Sequence, residues 1–262
     1  MKNKTVYICL YLILFQIFSA VYAAKPFRIA FFTDLHISSS NPLPTEDLQN
    51  AVDEVNKTSG LDFVLVSGDV TQIGDTESLK LAKQMLDKLK IPYYVTAGNH
   101  EYKINSANDS NFIKVFGDDK FSFVHNDVRF IGFTIKPIPK IGIGHISKQN
   151  ITWMKTMLKS NGKKIPVFVV THYPVQNGDV VNWSGMMNLF KKNNVKAVLG
   201  GHYHRNVVFN YDGIPGIIHR STLRGKEKLG GYSILSISDS IKVFEKKIGQ
   251  PLQEWLALPV AK

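Results

Sequence analysis

The chain has 262 residues, 44% hydrophobic and 20% charged, with 19 glycines, 11 prolines and one cysteine. These figures exclude a disordered, collagen-like or disulfide-framework protein and leave enough chain for a full apolar core. The formal charge of +11 favours anionic partners such as phosphate esters, nucleic acid or an acidic membrane surface, although the lysines are scattered and most of them read as a solvated face.

Residues 1–23 read as a secretory signal. Lys2 and Lys4 give a short basic start, Val6 to Phe15 is almost wholly apolar, and Ser19 to Ala23 is rich in small residues. Val21 and Ala23 would flank a cleavage after Ala23. The apolar run is short for a bilayer crossing of ~20 residues and Gln16 interrupts it, so export to a periplasmic or secreted location is expected rather than a retained anchor. Cys9 lies inside this segment, so the mature chain would hold no thiol. Without Lys2 and Lys4, thirty basic residues face twenty-one acidic ones, a charge of +9. No later segment is long and apolar enough to span a membrane. Residues 24–262 show no linker or repeat and read as one domain.

From Arg28 onward, apolar runs alternate with helical stripes. Arg28–Phe32, Phe63–Val66, Tyr93–Val95, Pro166–Val170 and Val195–Leu199 are short, continuous and rich in β-branched or aromatic residues, as strands buried on both faces are. Between them, Leu48, Val52 and Val55 form one helical stripe after Thr45. Leu79, Ala82, Leu86 and Leu89 form another after Thr76, ending before Pro92. Ser147 is a candidate cap for a helix bearing Ile151, Met154 and Leu158. This is βαβ alternation. After His204 the pattern turns to strands, Val207–Phe209, Gly216–Ile218, Tyr232–Ile237 and Ile241–Phe244, with Tyr211-Asp-Gly-Ile214 as a hairpin turn.

Each of the first five runs ends in metal-ligand residue types. The endings are Thr33-Asp-Leu-His36, Ser67-Gly-Asp69, Gly98-Asn-His-Glu101, Thr171-His-Tyr-Pro174 and Gly200-Gly-His-Tyr-His204. In open α/β sheets the site lies beyond the carboxyl ends of the strands, so these endings converge. Asp34 and His36, like His202 and His204, are two apart and in extended backbone would project to one side. Carboxylate, imidazole and amide donors without sulfur suit Mn, Fe, Zn, Ni or Co. Two Asp, one Asn and four His exceed the needs of one catalytic ion but suit two that share a bridge. His125, His145 and His219 match no motif.

The ordered set D-x-H, G-D, G-N-H-[DE], H and G-H-x-H resembles the calcineurin-like metallophosphoesterase superfamily, over Arg28 to Phe244. The resemblance implies an α/β four-layer sandwich, two mixed sheets face to face with helices outside. It also implies two metal sites, Asp34, His36 and His204 for one ion, and Asn99, His172 and His202 for the other, with Asp69 as bridge. His100 would bind no metal and would stand over the substrate as a protonated acid or clamp. Purple acid phosphatases place Tyr where Gln72 stands, and protein serine/threonine phosphatases carry an Asp-Arg pair that is missing after Asp69. The ending is more like the bacterial and cyclic-nucleotide phosphodiesterase branch.

The expected function is hydrolysis of phosphodiesters or phosphomonoesters on a small phosphate-ester substrate, by a hydroxide that two transition-metal ions (Mn, Fe or Zn) share near Asp69. A non-catalytic binding protein and a nuclease are the alternatives. The charge permits nucleic acid, but no dense basic run with interleaved aromatics favours it. Arg220 and Arg224 are candidates to reach the phosphate, though ordinary surface roles are favoured for both. The connecting segments Lys103–Asp127, Lys136–Ile146 and Gln176–Trp183 are expected to shape the pocket.

Overall fold

The computed structural model describes residues 25–103, 108–161 and 165–260. The expected signal segment, with Lys2, Lys4, Cys9 and the cleavage after Ala23, lies outside the described residues. No helix among the described residues is long and apolar enough to cross a membrane.

In chain order the elements are β1 (Phe27–Phe32), α1 (Pro42–Lys57), β2 (Phe63–Ser67), α2 (Thr76–Leu86), β3 (Tyr93–Thr96), a single 3-10 turn (His100–Tyr102), α3 (Asn108–Phe116), β4 (Lys120–His125), β5 (Val128–Phe133), β6 (Lys136–Pro137) and β7 (Gly144–His145). Then come α4 (Lys148–Asn161), β8 (Val167–Val170), α5 (Trp183–Lys191), β9 (Val195–Gly200), β10 (Val207–Tyr211), β11 (Ile214–Ile218), β12 (Gly231–Ile237), β13 (Ser240–Lys247) and β14 (Gln253–Pro259). The strands form two six-stranded mixed sheets, β14-β13-β12-β1-β2-β3 and β10-β11-β9-β8-β5-β4, with β6-β7 as a separate ribbon.

The period-two alternation of buried strands assigns each residue to a layer. In β1 and β2, Ala30, Phe32, Val64 and Val66 face α1 and α2, whose Leu48, Ala51, Val52, Leu79 and Ala82 cover them. Ile29, Phe31, Phe63 and Leu65 face the second sheet, where they meet Phe130, Phe168, Val170, Ala197 and Leu199. Met154, Leu158, Met186 and Phe190 of α4 and α5 close the far side over Ile131, Val169 and Val198. The result is the expected αββα sandwich.

The early strands divide between the sheets, and so do the late ones. β12 returns to pair antiparallel with β1, whereas β11 pairs parallel with β9. The turn at Tyr211–Ile214 is as expected, with Asp212 and Gly213 both at positive φ and Tyr211 opposite Ile214.

Two helices start earlier than their stripes suggested. α1 is capped by Asn41, which accepts from the Leu43 amide, with Pro42 and Pro44 inside the first turn. α2 is capped by Asp75, which accepts from Ser78 N at 2.8 Å. Ser147 Oγ does cap α4 through Asn150 N. The β4–β5 hairpin, turning at Asn126 and Asp127, was missed and occupies the end of the segment assigned to the pocket.

His219 is an ordinary core histidine, as its lack of a motif suggested. It is fully buried, its Nδ1 is 2.9 Å from Ser233 Oγ, and its ring centroid lies 4.1 Å from that of Phe31. Burial pushes its pKa down from 6.5 to about 3. Below pH 6.5 the unfolded chain takes up a proton that the folded chain refuses. Stability is therefore complete above that pH and is lost as pH falls toward 3. Between pH 6 and 4 the unfolding free energy of wild type should fall more steeply than that of His219→Gln by one proton, ~1.4 kcal/mol per pH unit. Parallel urea titrations measure this; equal slopes would refute it.

Candidate metal centre

The five motif-bearing strand ends do meet, and they come from both sheets. Asp34 and His36 follow β1, Asp69 follows β2, and Asn99 and His100 follow β3. His172 follows β8 in the second sheet, and His202 and His204 follow β9. Hydrogen bonds join the two sheets at this rim. Ser67 Oγ donates to Thr171 O (2.9 Å), His172 Nδ1 lies 2.8 Å from Ser67 O, and the His202 amide donates to Asp34 Oδ2 (3.1 Å).

Among the described residues, three groups of side chains bring their donor atoms within metal-binding reach: Asp34, His36 and His204; Asp69, His172 and His202; and His36, Asp69 and His100. His204 Nε2 is 3.1 Å from Asp34 Oδ1 and also 3.1 Å from His36 Nε2. His172 Nε2 is 3.1 Å from Asp69 Oδ2 and 3.8 Å from Asp34 Oδ1. Asp69 Oδ2 also lies 3.9 Å from His36 Nε2, so it faces a histidine of each of the first two groups.

The side chains converge by a route that differs from the extended backbone expected. Asp34, His36, Asp69, His202 and His204 all have left-handed backbone, with φ of 53°, 50°, 47°, 73° and 55°. Such conformations cost on the order of 1 kcal/mol or more for a non-glycine residue and cluster at functional sites. Here they turn both polar residues of each x-spaced pair toward the site while Leu35 points into the core.

Glycines admit the close approaches. A Cβ on Gly201 would overlap Thr33 Oγ1 and come within 2.5 Å of Asp34 Oδ2, and one on Gly98 would overlap the Asp69 amide. Thr33 is itself part of the support, since its hydroxyl lies 2.8 Å from Asp34 Oδ2 and 2.9 Å from Ser67 O.

The electrostatics fit a cation. Asp34 and Asp69 are buried, and burial opposes their ionisation, but the neighbouring histidines together outweigh it, His172 foremost, with His204 beside Asp34 and His100 and His36 beside Asp69, and hold both below the usual carboxylate range. Burial likewise disfavours charge on His172. The Asp69 and Asp34 carboxylates win, and its pKa is pushed up to about 10. The two carboxylates thus draw positive charge onto His172, and Asp34 raises His204 as well; a metal ion would answer the same demand. Burial lowers His36 and His202 to about 4, which leaves them neutral with a lone pair to give. Asn99 Oδ1 is buried without a hydrogen-bond partner, as befits an atom meant for an ion. The donor set therefore fits transition metals of the Mn, Fe or Zn kind.

Not every expected role fits the geometry. Burial first, and the Lys103 charge after it, lower the pKa of His100 against the pull of Asp69, which favours a neutral ring over the protonated one expected. Arg220 and Arg224 are engaged elsewhere. Arg220 pairs with Glu245 (3.2 Å) and donates to Leu229 O. Arg224 donates to Asp47 (2.8 Å) and pairs with Glu46 (3.0 Å). They anchor the segment whose Thr222 and Leu223 amides donate to Thr33 O and Asp34 O. His125 pairs with Asp62 at 2.7 Å, and His145 lies in β7 opposite Lys136, each as an ordinary histidine.

Glu101 is the functional residue that the motif contained without revealing its task. Fully buried, it accepts from Thr71 N, Thr71 Oγ1 and Gly98 N, and so fastens the Asp69 turn to the Asn99 turn. Burial, with repulsion from Asp69, pushes its pKa up to about 7. Tyr203, between the two histidines of the last motif, donates to Asp179 at 2.8 Å. Asp179 O accepts from Gly144 N, which ties the β6–β7 ribbon to the same rim.

A two-sheet α/β sandwich with such a donor cluster on its strand-end rim defines a metal-dependent phosphoesterase. A family model described as calcineurin-like phosphoesterase matches residues 27–206, and the chain belongs to that family. It is 28% identical over 192 residues to a probable glycerophosphodiester phosphodiesterase of Arcobacter nitrofigilis, across 66% of this chain and 70% of that one. It is 22% identical to a probable cyclic nucleotide phosphodiesterase of Coxiella burnetii, across 84% and 89%. Its fold matches that of a purple acid phosphatase from yellow lupin seeds with a TM-score of 0.63 at 12% identity, over 90% of this chain and 53% of that one. GAP50 of Plasmodium matches with a TM-score of 0.60 at 12% identity, over 90% of each chain.

Because the site depends on the Gly201 contact, Gly201→Ala should lower stability by ~1–3 kcal/mol and reduce bound metal after loading. Urea unfolding and elemental analysis read these. Unchanged values in both would show that Thr33 and Asp34 give way freely.

Proposed function

We propose that this phosphoesterase is an exported phosphodiesterase that works with two transition-metal ions, Mn, Fe or Zn. The observation that carries the reading is the pairing of two three-donor groups around one carboxylate, Asp69, which faces His36 on one side and His172 on the other. Asp34, His36 and His204 would hold one ion, and Asn99, His172 and His202 the other, with Asp69 between them. When bound, such ions polarise the phosphoryl oxygens and lower the pKa of water at neutral pH.

The protein supplies the rest. Ser67 O holds the Nδ1 side of His172, which leaves Nε2 directed at the carboxylates. Glu101 and Gly98 keep Asn99 and Asp69 in register. The His100 amide donates to Asp69 Oδ1 (2.8 Å), which sets its ring at the open edge of the site, where a leaving group would depart. A diester substrate is supported by the phosphodiesterase names of the relatives above. Export is supported by the n-region, apolar run and small-residue cleavage pattern of residues 1–23.

Metal-loaded protein should cleave bis(p-nitrophenyl) phosphate faster than p-nitrophenyl phosphate, lose both activities to chelator and regain them with Mn or Zn. Asp69→Asn should abolish turnover and lower metal content. No chelator-sensitive cleavage of either ester would sink the reading and favour a binding protein. The export reading has its own test: N-terminal sequencing of the protein recovered outside the cytoplasm should begin at Ala24, and an intact Met1 would count against it.

A further inference from the structure

We propose that Tyr203 is a positioning residue for both metal sites: through its hydrogen bond to Asp179 it sets His202 and His204, which would each serve a different ion. The role rests on the two-ion reading above. The two histidines flank Tyr203 in the turn after β9, each with left-handed backbone. That turn is fastened at its start, where the His202 amide donates to Asp34 Oδ2. The next bond, from Tyr203 N to Gly201 O, stays inside the turn.

A side chain supplies the longer-range hold. The Tyr203 hydroxyl donates to the Asp179 carboxylate, 2.8 Å from one oxygen and 2.9 Å from the other. An ionised carboxylate can only accept, so the direction of the bond is settled, and its charge makes the bond a strong one. Gln176 Nε2 donates to Asp179 Oδ2 at 2.9 Å and steadies that carboxylate. Asp179 belongs to the loop between β8 and α5, the loop that begins with His172, and its carbonyl oxygen accepts from Gly144 N of the β6–β7 ribbon. One side-chain bond therefore joins the loop carrying His172 to the turn carrying His202 and His204. Rings complete the joint. The His202 ring centroid lies 4.5 Å from that of Tyr173, the neighbour of His172, and 5.8 Å from that of Tyr203. The Tyr173 hydroxyl in turn donates to Gly142 O beside the ribbon.

Groups that orient a ligand from behind are worth roughly 10–100-fold in metal affinity. His204 stands with Asp34 and His36, and His202 with Asp69 and His172, so loss of the Tyr203 bond must weaken both ions rather than one. The test titrates Zn into metal-free wild type, Tyr203→Phe, Asp179→Ala, Asp179→Asn and the Tyr203→Phe/Asp179→Ala double variant by calorimetry, under conditions in which circular dichroism shows each of them folded. Tyr203→Phe removes only the hydroxyl and should weaken both ions by roughly 10-fold. Asp179→Ala should match it, and the double variant should bind no more weakly than either single one, because all three lack the same bond. Asp179→Asn keeps an acceptor oxygen and should recover most of the affinity. Wild-type affinity in Tyr203→Phe, a loss at one ion alone, or losses that multiply in the double variant would overturn the role of Tyr203. A wild type that binds both ions yet cleaves no phosphate ester would overturn the phosphoesterase reading and leave the role of Tyr203 to be judged by the affinities; one that binds no ion would overturn both.

Discussion

Two carboxylates taken out of water, with the imidazoles of His172 and His36 between them, set the terms for this molecule. Asp34 and Asp69 are almost wholly buried, and within the chain His172 is the group that most offsets their charge. Burying an anion is costly unless it is paired. The arrangement therefore depends on positive charge being drawn in, and the neutral His36 and His202 with the unpartnered Asn99 amide oxygen provide the remaining donors. The local architecture can be understood as the means of holding that cluster together.

The means are mostly backbone. The turns after β1, β2 and β9 bend through left-handed conformations, and Asp34 N, His36 N and Gly201 N donate to carbonyls of the neighbouring turns. The segment after β11 closes the rim from outside by donating to Thr33 O and Asp34 O, and its own anchors are Arg220 and Arg224. At the opposite ends of the strands the two sheets are joined by aromatic packing, with Phe27 and Phe63 each edge-to-face against Phe130, and Phe123 stacked on Phe130. The interior thus passes from dry rings at one end to titratable groups at the other.

Much of this was legible in the residues because the signals were strong where burial was complete. β1, β2, β8 and β9 are continuous apolar runs covered on both faces, and polar ligand types begin where each run stops. β4 and β14 are edge strands with few buried positions, so their patterns were faint. α5 covers only nine residues, too few for a clear stripe. The spacing of Asp34 and His36 correctly suggested a common direction, but the backbone that produces it is left-handed, which no spacing rule reveals. The arginines were ambiguous for a similar reason: their partners Asp47 and Glu245 are distant in sequence. Glu101 owes its task to contacts that exist only once β2 and β3 lie side by side.

The left-handed turns also have a bearing on which elements this scaffold can recruit. Among residues with a side chain, Asn, Asp and His are the ones that most readily accept that conformation, whereas β-branched and bulky ones resist it. A backbone that bends this way at five positions of the donor cluster favours Asn, Asp and His there, which are oxygen and nitrogen donors. The donor chemistry of the cluster, which suits hard and borderline cations, is in this sense matched to the main chain that carries it.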